Sequence, residues 1–289
     1  MSKSSRRNFL VRTASLAAVA KAAFARDPLT QNNLGFQIYT VRNIIDQNPL
    51  AILKSIQEIG YREIECTAGN LDKIWPALQQ TSLKPVSLHT DQSMYTPDGK
   101  AFKDSSLQQA KQRGFEYVVI PFMQIAQEGA TSVKRYAEQF DHMGKQAQSH
   151  GLTLCYHNHA HDYAPVNGTP AVHMLLSETN PNLLKLEMDI FWVSVAGYDP
   201  IAELRHFSGR VPLLHLKDKA AGVPVQFDEK VPKAAFKEVG SGSIKIPAVL
   251  EAANAAGVKN YFVEQDWTSG NPVDSLRKSF DYLKPLFRS

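Results

Sequence analysis

Residues 131–161 read TSVKRYAEQFDHMGKQAQSHGLTLCYHNHAH, and this stretch decides the fold. Thr131–His150 has the spacing of a helix. Gly151 follows as a stop signal, because glycine readily takes the left-handed conformation that ends a helix. Leu152–His157 is then a short apolar run of strand length, and it finishes in Tyr156-His157-Asn158-His159-Ala160-His161. A helix that passes through glycine into a short buried strand is one unit of a parallel β/α protein.

The same unit recurs along the chain. Candidate strands are Leu34–Thr40, Tyr61–Cys66, Lys84–His89, Tyr117–Pro121, Leu152–His157, Leu183–Asp189, Val211–Lys217 and Tyr261–Glu264. Helical patterns lie between them: Leu50–Ile59, with Ile52, Leu53, Ile56 and Ile59 as its apolar stripe, Thr131–His150, and others starting near Asn70, Gly99, Thr169, Asp199, Ile246 and Asn271. Glycine precedes several strands, at Gly60, Gly114, Gly151 and Gly257, as connections from helix to strand require. Eight units in residues 26–289 match the length of a single-domain (β/α)8 TIM barrel, about 250 residues. An open doubly wound sheet would require a GxGxxG turn after the first strand, and none is there. The longest stretch without periodicity, Lys219–Gly240, follows the seventh strand and is expected on the rim of the barrel's C-terminal face.

The first 25 residues stand apart. Ser5-Arg6-Arg7-Asn8-Phe9-Leu10, an alanine-rich stretch and Ala23-Phe24-Ala25 resemble a twin-arginine export signal cut after Ala25, which implies a periplasmic or otherwise exported protein. Five of the 32 basic residues and none of the 28 acidic ones fall there, so the remainder carries 27 against 28. A charge so near balance argues against nucleic acid as a partner. No apolar run reaches the roughly 18 residues of a membrane span. Cys66 and Cys155 both lie in apolar, strand-like stretches and read as buried thiols.

A barrel's active site sits at the C-terminal ends of its strands. Those ends here carry Glu65, His89, His157 to His161, Glu187 with Asp189, His215 with Lys217 and Asp218, and Glu264 with Asp266. Strand side chains two apart share a face, so His157 and His159, Glu187 and Asp189, His215 and Lys217, and Glu264 and Asp266 are same-face pairs. Carboxylates gathered at one mouth repel each other, and a divalent cation removes that cost. Five of the nine histidines cluster at these ends, whereas His142, His150, His173 and His206 fall in helical segments and read as surface or packing residues. Mixed carboxylate and imidazole ligands suit Mn, Co, Fe or Zn, with Mg also open.

Gly35-Phe36-Gln37-Ile38-Tyr39-Thr40-Val41-Arg42, Gly60-Tyr61-Arg62-Glu63-Ile64-Glu65, Tyr156-His157-Asn158-His159, Met188-Asp189-Ile190-Phe191-Trp192, His215-Leu216-Lys217-Asp218 and Val263-Glu264-Gln265-Asp266 occur in this order. Together they resemble the xylose isomerase-like TIM-barrel family of sugar phosphate isomerases and epimerases, over about residues 34–285. The resemblance implies one divalent metal held by Asp189, His215 and Glu264, with His157 standing where ketose epimerases of this type have a glutamate. The Tyr-His-Asn-His form is similar to an often exported subgroup that includes inosose dehydratase-like and 3-keto-glycoside-cleaving members. Where that subgroup commonly has Glu, three residues after the second His, this chain has Asp162.

The expected chemistry is removal of a proton next to a sugar carbonyl through an enediolate, giving isomerisation or epimerisation. Loss of a β-substituent, a lyase or dehydratase reaction, is the alternative. Glu264, His159 or Lys217 would carry the proton. Tyr39 and Trp192 would stack on the sugar, and Gln37, Glu65, His89 and Asp266 are the remaining expected substrate contacts. Gly240-Ser241-Gly242 is a candidate for holding a phosphate through backbone amides, with an ordinary turn as the alternative. The expected partner is a small-molecule sugar, with self-association left open. A non-catalytic sugar-binding protein would have two lobes and no need of so many carboxylates. A repair endonuclease on the same barrel would need more ligands and a basic face.

Overall fold

The computed structural model describes residue 30 and residues 33–287. The expected export signal, residues 1–25, lies outside the described residues. Among the described residues eight strands make up the main sheet: β1 (Leu34–Gln37), β2 (Glu63–Thr67), β3 (Lys84–His89), β4 (Tyr117–Ile120), β5 (Thr153–His157), β6 (Leu184–Asp189), β7 (Leu213–Leu216) and β8 (Asn260–Val263). Each pairs in parallel with its chain neighbours, and β1 pairs with both β2 and β8, so the sheet closes into the expected barrel. Parallel strands need long crossovers. These are supplied by α1 (Pro49–Ile59), α2 (Ala68–Leu78), α3 (Asp104–Gln112), α4 (Ala130–Ser149), α5 (Ala171–Glu178), α6 (Ile190–Val195), α7 (Pro200–His206), α8 (Ile246–Ala256) and α9 (Pro272–Leu283). Among the described residues no helix is long and apolar enough to cross a membrane.

Several helices start where their caps dictate. Asn48 accepts from Ala51 N ahead of Pro49, Asp199 from Ile201 N ahead of Pro200, and Asn271 from Val273 N ahead of Pro272. Two helices differ from expectation. The helix expected near Gly99 begins at Asp104, because Thr96 and Ala101 close a tight turn over Pro97-Asp98-Gly99 and Tyr95 bridges Phe102. The short helix α6 was not expected. It is buried on nearly every side, so its sequence shows no polar face from which a helical period could be read.

The outward faces of the strands pack against the helices in one large apolar cluster. The lumen holds a second, small cluster: Val86, Val119, Cys155, Leu213 and Phe262. Cys155, Leu213 and Phe262 stand two residues before His157, His215 and Glu264, so they share the inward face and form the apolar floor beneath the site. The larger of these side chains stabilise the fold by about 1.5–3 kcal/mol each on burial. Phe262 fits because residue 35 is glycine: a Cβ there would lie 2.7 Å from the Phe262 ring and 2.8 Å from the Glu63 carbonyl. Both cysteines are buried and free, as expected.

The Lys219–Gly240 stretch folds back across the C-terminal face. Asp218–Lys219 pairs antiparallel with Phe236–Lys237, which stacks Phe236 on Phe191 with ring centres 4.6 Å apart. From its middle, Glu229 accepts from His161 Nδ1 at 2.5 Å. The Gly240-Ser241-Gly242 amides are not open to a phosphate. Gly240 N and Gly242 N each donate to Asp218 Oδ2 at 2.9 Å, and Ile244 N donates to Oδ1 at 3.1 Å. The concavity of backbone amides is filled by the chain's own carboxylate.

Candidate active site

The strand ends bring the same-face pairs together in two tiers. In the upper tier Asp189 does two jobs. Its Oδ1 caps α6 by accepting from Phe191 N and Trp192 N, at 2.9 and 3.1 Å. Its Oδ2 has no well-aligned hydrogen bond and faces the Lys217 ammonium at 2.9 Å. Lys217 Nζ also lies 2.8 Å from Glu264 Oε2 and 2.9 Å from Asp266 Oδ2. His215 Nδ1 lies 2.8 Å from Glu264 Oε2 and 3.9 Å from Asp189 Oδ2, and His157 Nε2 lies 3.7 Å from Asp189 Oδ2. Asn158 and Asp189 exchange hydrogen bonds, locking the end of β5 to the end of β6.

The lower tier lies toward the lumen. Glu187 Oε2 is 2.7 Å from His89 Nε2, 3.0 Å from His157 Nδ1 and 3.4 Å from His215 Nε2. Glu65 Oε1 is 2.6 Å from His215 Nε2 and 3.1 Å from His89 Nε2, and it accepts from Gln37 Nε2 at 3.0 Å. One oxygen of each carboxylate, Glu65 Oε2 and Glu187 Oε1, is buried without a partner.

Burial sets the protonation of these groups except where a partner outweighs it. Burial would lower His89, but Glu65 and Glu187 lift it to about 10. His215 is likewise raised well above an ordinary imidazole by Glu187 and Glu65, against its burial. His157 and His159 are lowered, by burial first and by neighbouring cations second, so both are neutral rings. Lys217 is raised despite burial, because Asp189, Asp266 and Glu264 surround its ammonium. Glu264 is lowered against its burial by Lys217 and His215.

Asp189, His215 and Glu264 each offer a ligand atom, all within 4.8 Å of one another, and His89, His157, Glu187 and His215 form a second such group. Two ligands on opposite sides of one ion stand roughly 4 Å apart. The carboxylate and imidazole donors, with Asp189 Oδ2 lacking a well-formed hydrogen bond, therefore fit a divalent cation. Above them opens a cavity of about 440 Å³, lined among others by Tyr39, His89, His159, Lys217, Glu264 and Asp266.

The xylose isomerase-like TIM barrel family profile matches residues 53–286. The chain belongs to that family. Inosose dehydratase 2 of Bacillus cereus is 28% identical over 161 residues, which are 52% of this chain and 53% of the relative. The chain thus spans about half the length of the curated relatives it matches. Among solved structures, a sugar phosphate isomerase/epimerase from Parabacteroides distasonis superposes with a TM-score of 0.72 at 20% identity, covering 92% of this chain and 97% of that one. The IolI protein with a bound zinc atom superposes with a TM-score of 0.67 at 16% identity, covering 88% and 97%. The probable 3-DHS dehydratase AsbF from Bacillus anthracis gives 0.66 at 13%, covering 87% and 98%.

Within this xylose isomerase-like barrel the residues expected from the sequence fall into three groups. The ligand candidates His157, Asp189, His215 and Glu264 converge on the upper tier, with Lys217 and Asp266 beside them. Tyr39, His89, His159, Lys217, Glu264 and Asp266 face the cavity. Gln37, Glu65 and Trp192 do not line it. Gln37 and Glu65 are fully buried and bonded to each other, and Trp192 packs behind His159 with ring centres 5.5 Å apart. Asp162 is also withdrawn: it accepts from the Tyr156 hydroxyl and from His159 N, both at 2.7 Å, and so shapes the turn that carries His159. Two residues had no expected role. Glu187 organises the lower tier; its one sequence signal was its place two residues before Asp189. Phe122, 44% exposed, lies over His159 and His161 at the cavity wall, and nothing in the sequence marked it.

Proposed function

We propose that the barrel catalyses β-elimination, a dehydratase or lyase reaction, on a keto-sugar or keto-polyol. One observation carries this reading. Two unlike proton carriers face the same cavity: the neutral ring of His159, whose buried Nδ1 has no partner, and the Lys217 ammonium. Both flank Trp192, His159 at 5.5 Å between ring centres and Lys217 Nζ at 5.8 Å from the ring centre. A base and an acid held in one cavity suit a reaction that removes one proton and delivers another.

His159 takes the proton from the carbon next to the substrate carbonyl, leaving an enolate. Electrons of that enolate form the carbon–carbon double bond as the β carbon–oxygen bond breaks. Lys217 gives a proton to the departing oxygen, and Asp266 and Glu264 hold the amine in place. When bound by Asp189, His215, Glu264 and His157, a divalent cation would supply Lewis acidity toward the substrate carbonyl. The relatives named as dehydratases support this choice. Isomerisation or epimerisation, the first expectation from the sequence, shares the initial proton removal. Against it, the position of the epimerases' first glutamate is held by His157, whose nitrogens face Glu187 and Asp189.

The test is product analysis. The purified chain with Mn²⁺ is incubated with an inosose, a 3-keto-glycoside and a ketohexose. The proposal expects an unsaturated ketone, seen by ultraviolet absorbance and by mass spectrometry as loss of water or aglycone. A C-epimer or aldose–ketose pair with no unsaturated product would overturn it.

A further inference from the structure

The two tiers share two imidazoles, and each ring is turned to offer one nitrogen to each tier. His215 presents Nδ1 to Glu264 and Asp189 above and Nε2 to Glu65 below. His157 presents Nε2 to Asp189 above and Nδ1 to Glu187 below. We propose that Glu65 and Glu187 are positioning residues that fix the tautomers of His215 and His157, so that His215 Nδ1 and His157 Nε2 carry the lone pairs toward the cation. The proposal rests on the cation reading of the upper tier but not on the reaction.

A ring nitrogen binds a cation only through a lone pair, so the other nitrogen must carry the hydrogen and needs an acceptor. Buried carboxylates directly beneath are such acceptors, and neither can turn away to solvent: both are fully buried. The contacts linking the lower tier are 2.6, 2.7, 3.0, 3.1 and 3.4 Å; the first four are of hydrogen-bond length and are made by three ring nitrogens, His215 Nε2, His89 Nε2 and His157 Nδ1. Two ligands on one tetrahedral ion with bonds of about 2.1 Å stand roughly 3.4 Å apart. The separations from Asp189 Oδ2 in the upper tier, 3.7 and 3.9 Å, leave that room, whereas His215 Nδ1 and Glu264 Oε2, 2.8 Å apart, would have to separate by about 0.6 Å to share the ion. His89, reaching both carboxylates with one Nε2, keeps them fixed while their other oxygens stay unpartnered. The lower tier is a proton-bonded floor under one cation, not a second cation site.

The experiment uses the purified chain, ¹⁵N-labelled at histidine, with Zn²⁺ as a diamagnetic probe. Ring ¹⁵N–¹H correlation spectra read which nitrogen of each histidine is protonated and which is metal-bound. The proposal expects one ring bound through Nδ1 with Nε2–H, perturbed by Glu65→Gln, and one bound through Nε2 with Nδ1–H, perturbed by Glu187→Gln. In calorimetric titration each variant should bind Zn²⁺ roughly 10- to 100-fold more weakly, with one ion per chain retained. Reversed nitrogens, two ions per chain, or unchanged affinity in both variants would overturn it. If the variants do not fold, the wild-type spectrum decides alone. Binding through the opposite nitrogens leaves the cation reading intact and removes only this proposal, whereas no Zn²⁺ binding at all removes both.

Discussion

Replacing Lys217 by methionine isolates the electrostatic problem that the barrel mouth has to solve. The ammonium is 2% exposed and touches Asp189, Glu264 and Asp266, which are 0, 6 and 25% exposed. Methionine keeps much of the bulk but no charge, leaving three carboxylates facing one another. Breaking a buried ion pair from one side costs about 3–5 kcal/mol. Asp266 is a quarter exposed, so solvent screens its share, and the lower half of that range is expected. For a chain of this size that loss corresponds to a fall in Tm on the order of 10 °C. The assay is urea unfolding followed by circular dichroism, once in EDTA and once in excess Mn²⁺. A cation held at 100 times its Kd adds about 2.7 kcal/mol. Lys217→Met should therefore be destabilised in EDTA and gain more from Mn²⁺ than the wild type, whose ammonium already neutralises the same oxygens. A variant as stable as the wild type in EDTA would refute the reasoning, and so would one that gains no more from the metal.

Other expectations follow from single contacts. Glu63 is buried at the opposite end of the barrel and accepts from Asn260 Nδ2 at 2.7 Å; burial, its main influence, raises its pKa to about 7 from 4.5. Its contribution is therefore fully present below about pH 4.5 and is lost as pH rises through about 7, by up to roughly 3 kcal/mol. Glu63→Gln should gain stability relative to wild type between about pH 5 and pH 8.5 in guanidinium unfolding, and a pH-independent difference would contradict this. Gly35→Ala forces a methyl to within 2.7 Å of the Phe262 ring and should destabilise by about 1–3 kcal/mol, measured by the same unfolding curves. Glu229→Ala removes the contact from the rim segment to His161. Limited proteolysis should then cut within residues 219–240 faster than in the wild type, while Tm changes little.

The β/α alternation and the polar strand ends were legible because both follow local rules. Strand β3 has the bounds its sequence predicted, since a strand end is marked by where apolar residues stop. The upper-tier residues were legible because period-two alternation places Lys217 with His215 and Asp266 with Glu264. What escaped depends on neighbours far along the chain. Glu187 pairs with His89, 98 residues away, and Glu65 with His215, 150 residues away, and no local pattern states those pairings. The Gly240-Ser241-Gly242 turn has the look of an anion site in sequence because its amides do hold an anion, the Asp218 carboxylate. Helix α6 was hidden for the opposite reason: near-complete burial erased its polar face.

Anomalous diffraction from crystals loaded with Mn²⁺ or Zn²⁺ would go straight to the barrel mouth. One peak per chain is predicted, bonded at about 2.0–2.2 Å to Asp189 Oδ2, His215 Nδ1 and Glu264 Oε2. A peak centred instead among His89, Glu65 and Glu187, or none near these side chains in a crystal that takes up metal elsewhere, would contradict it.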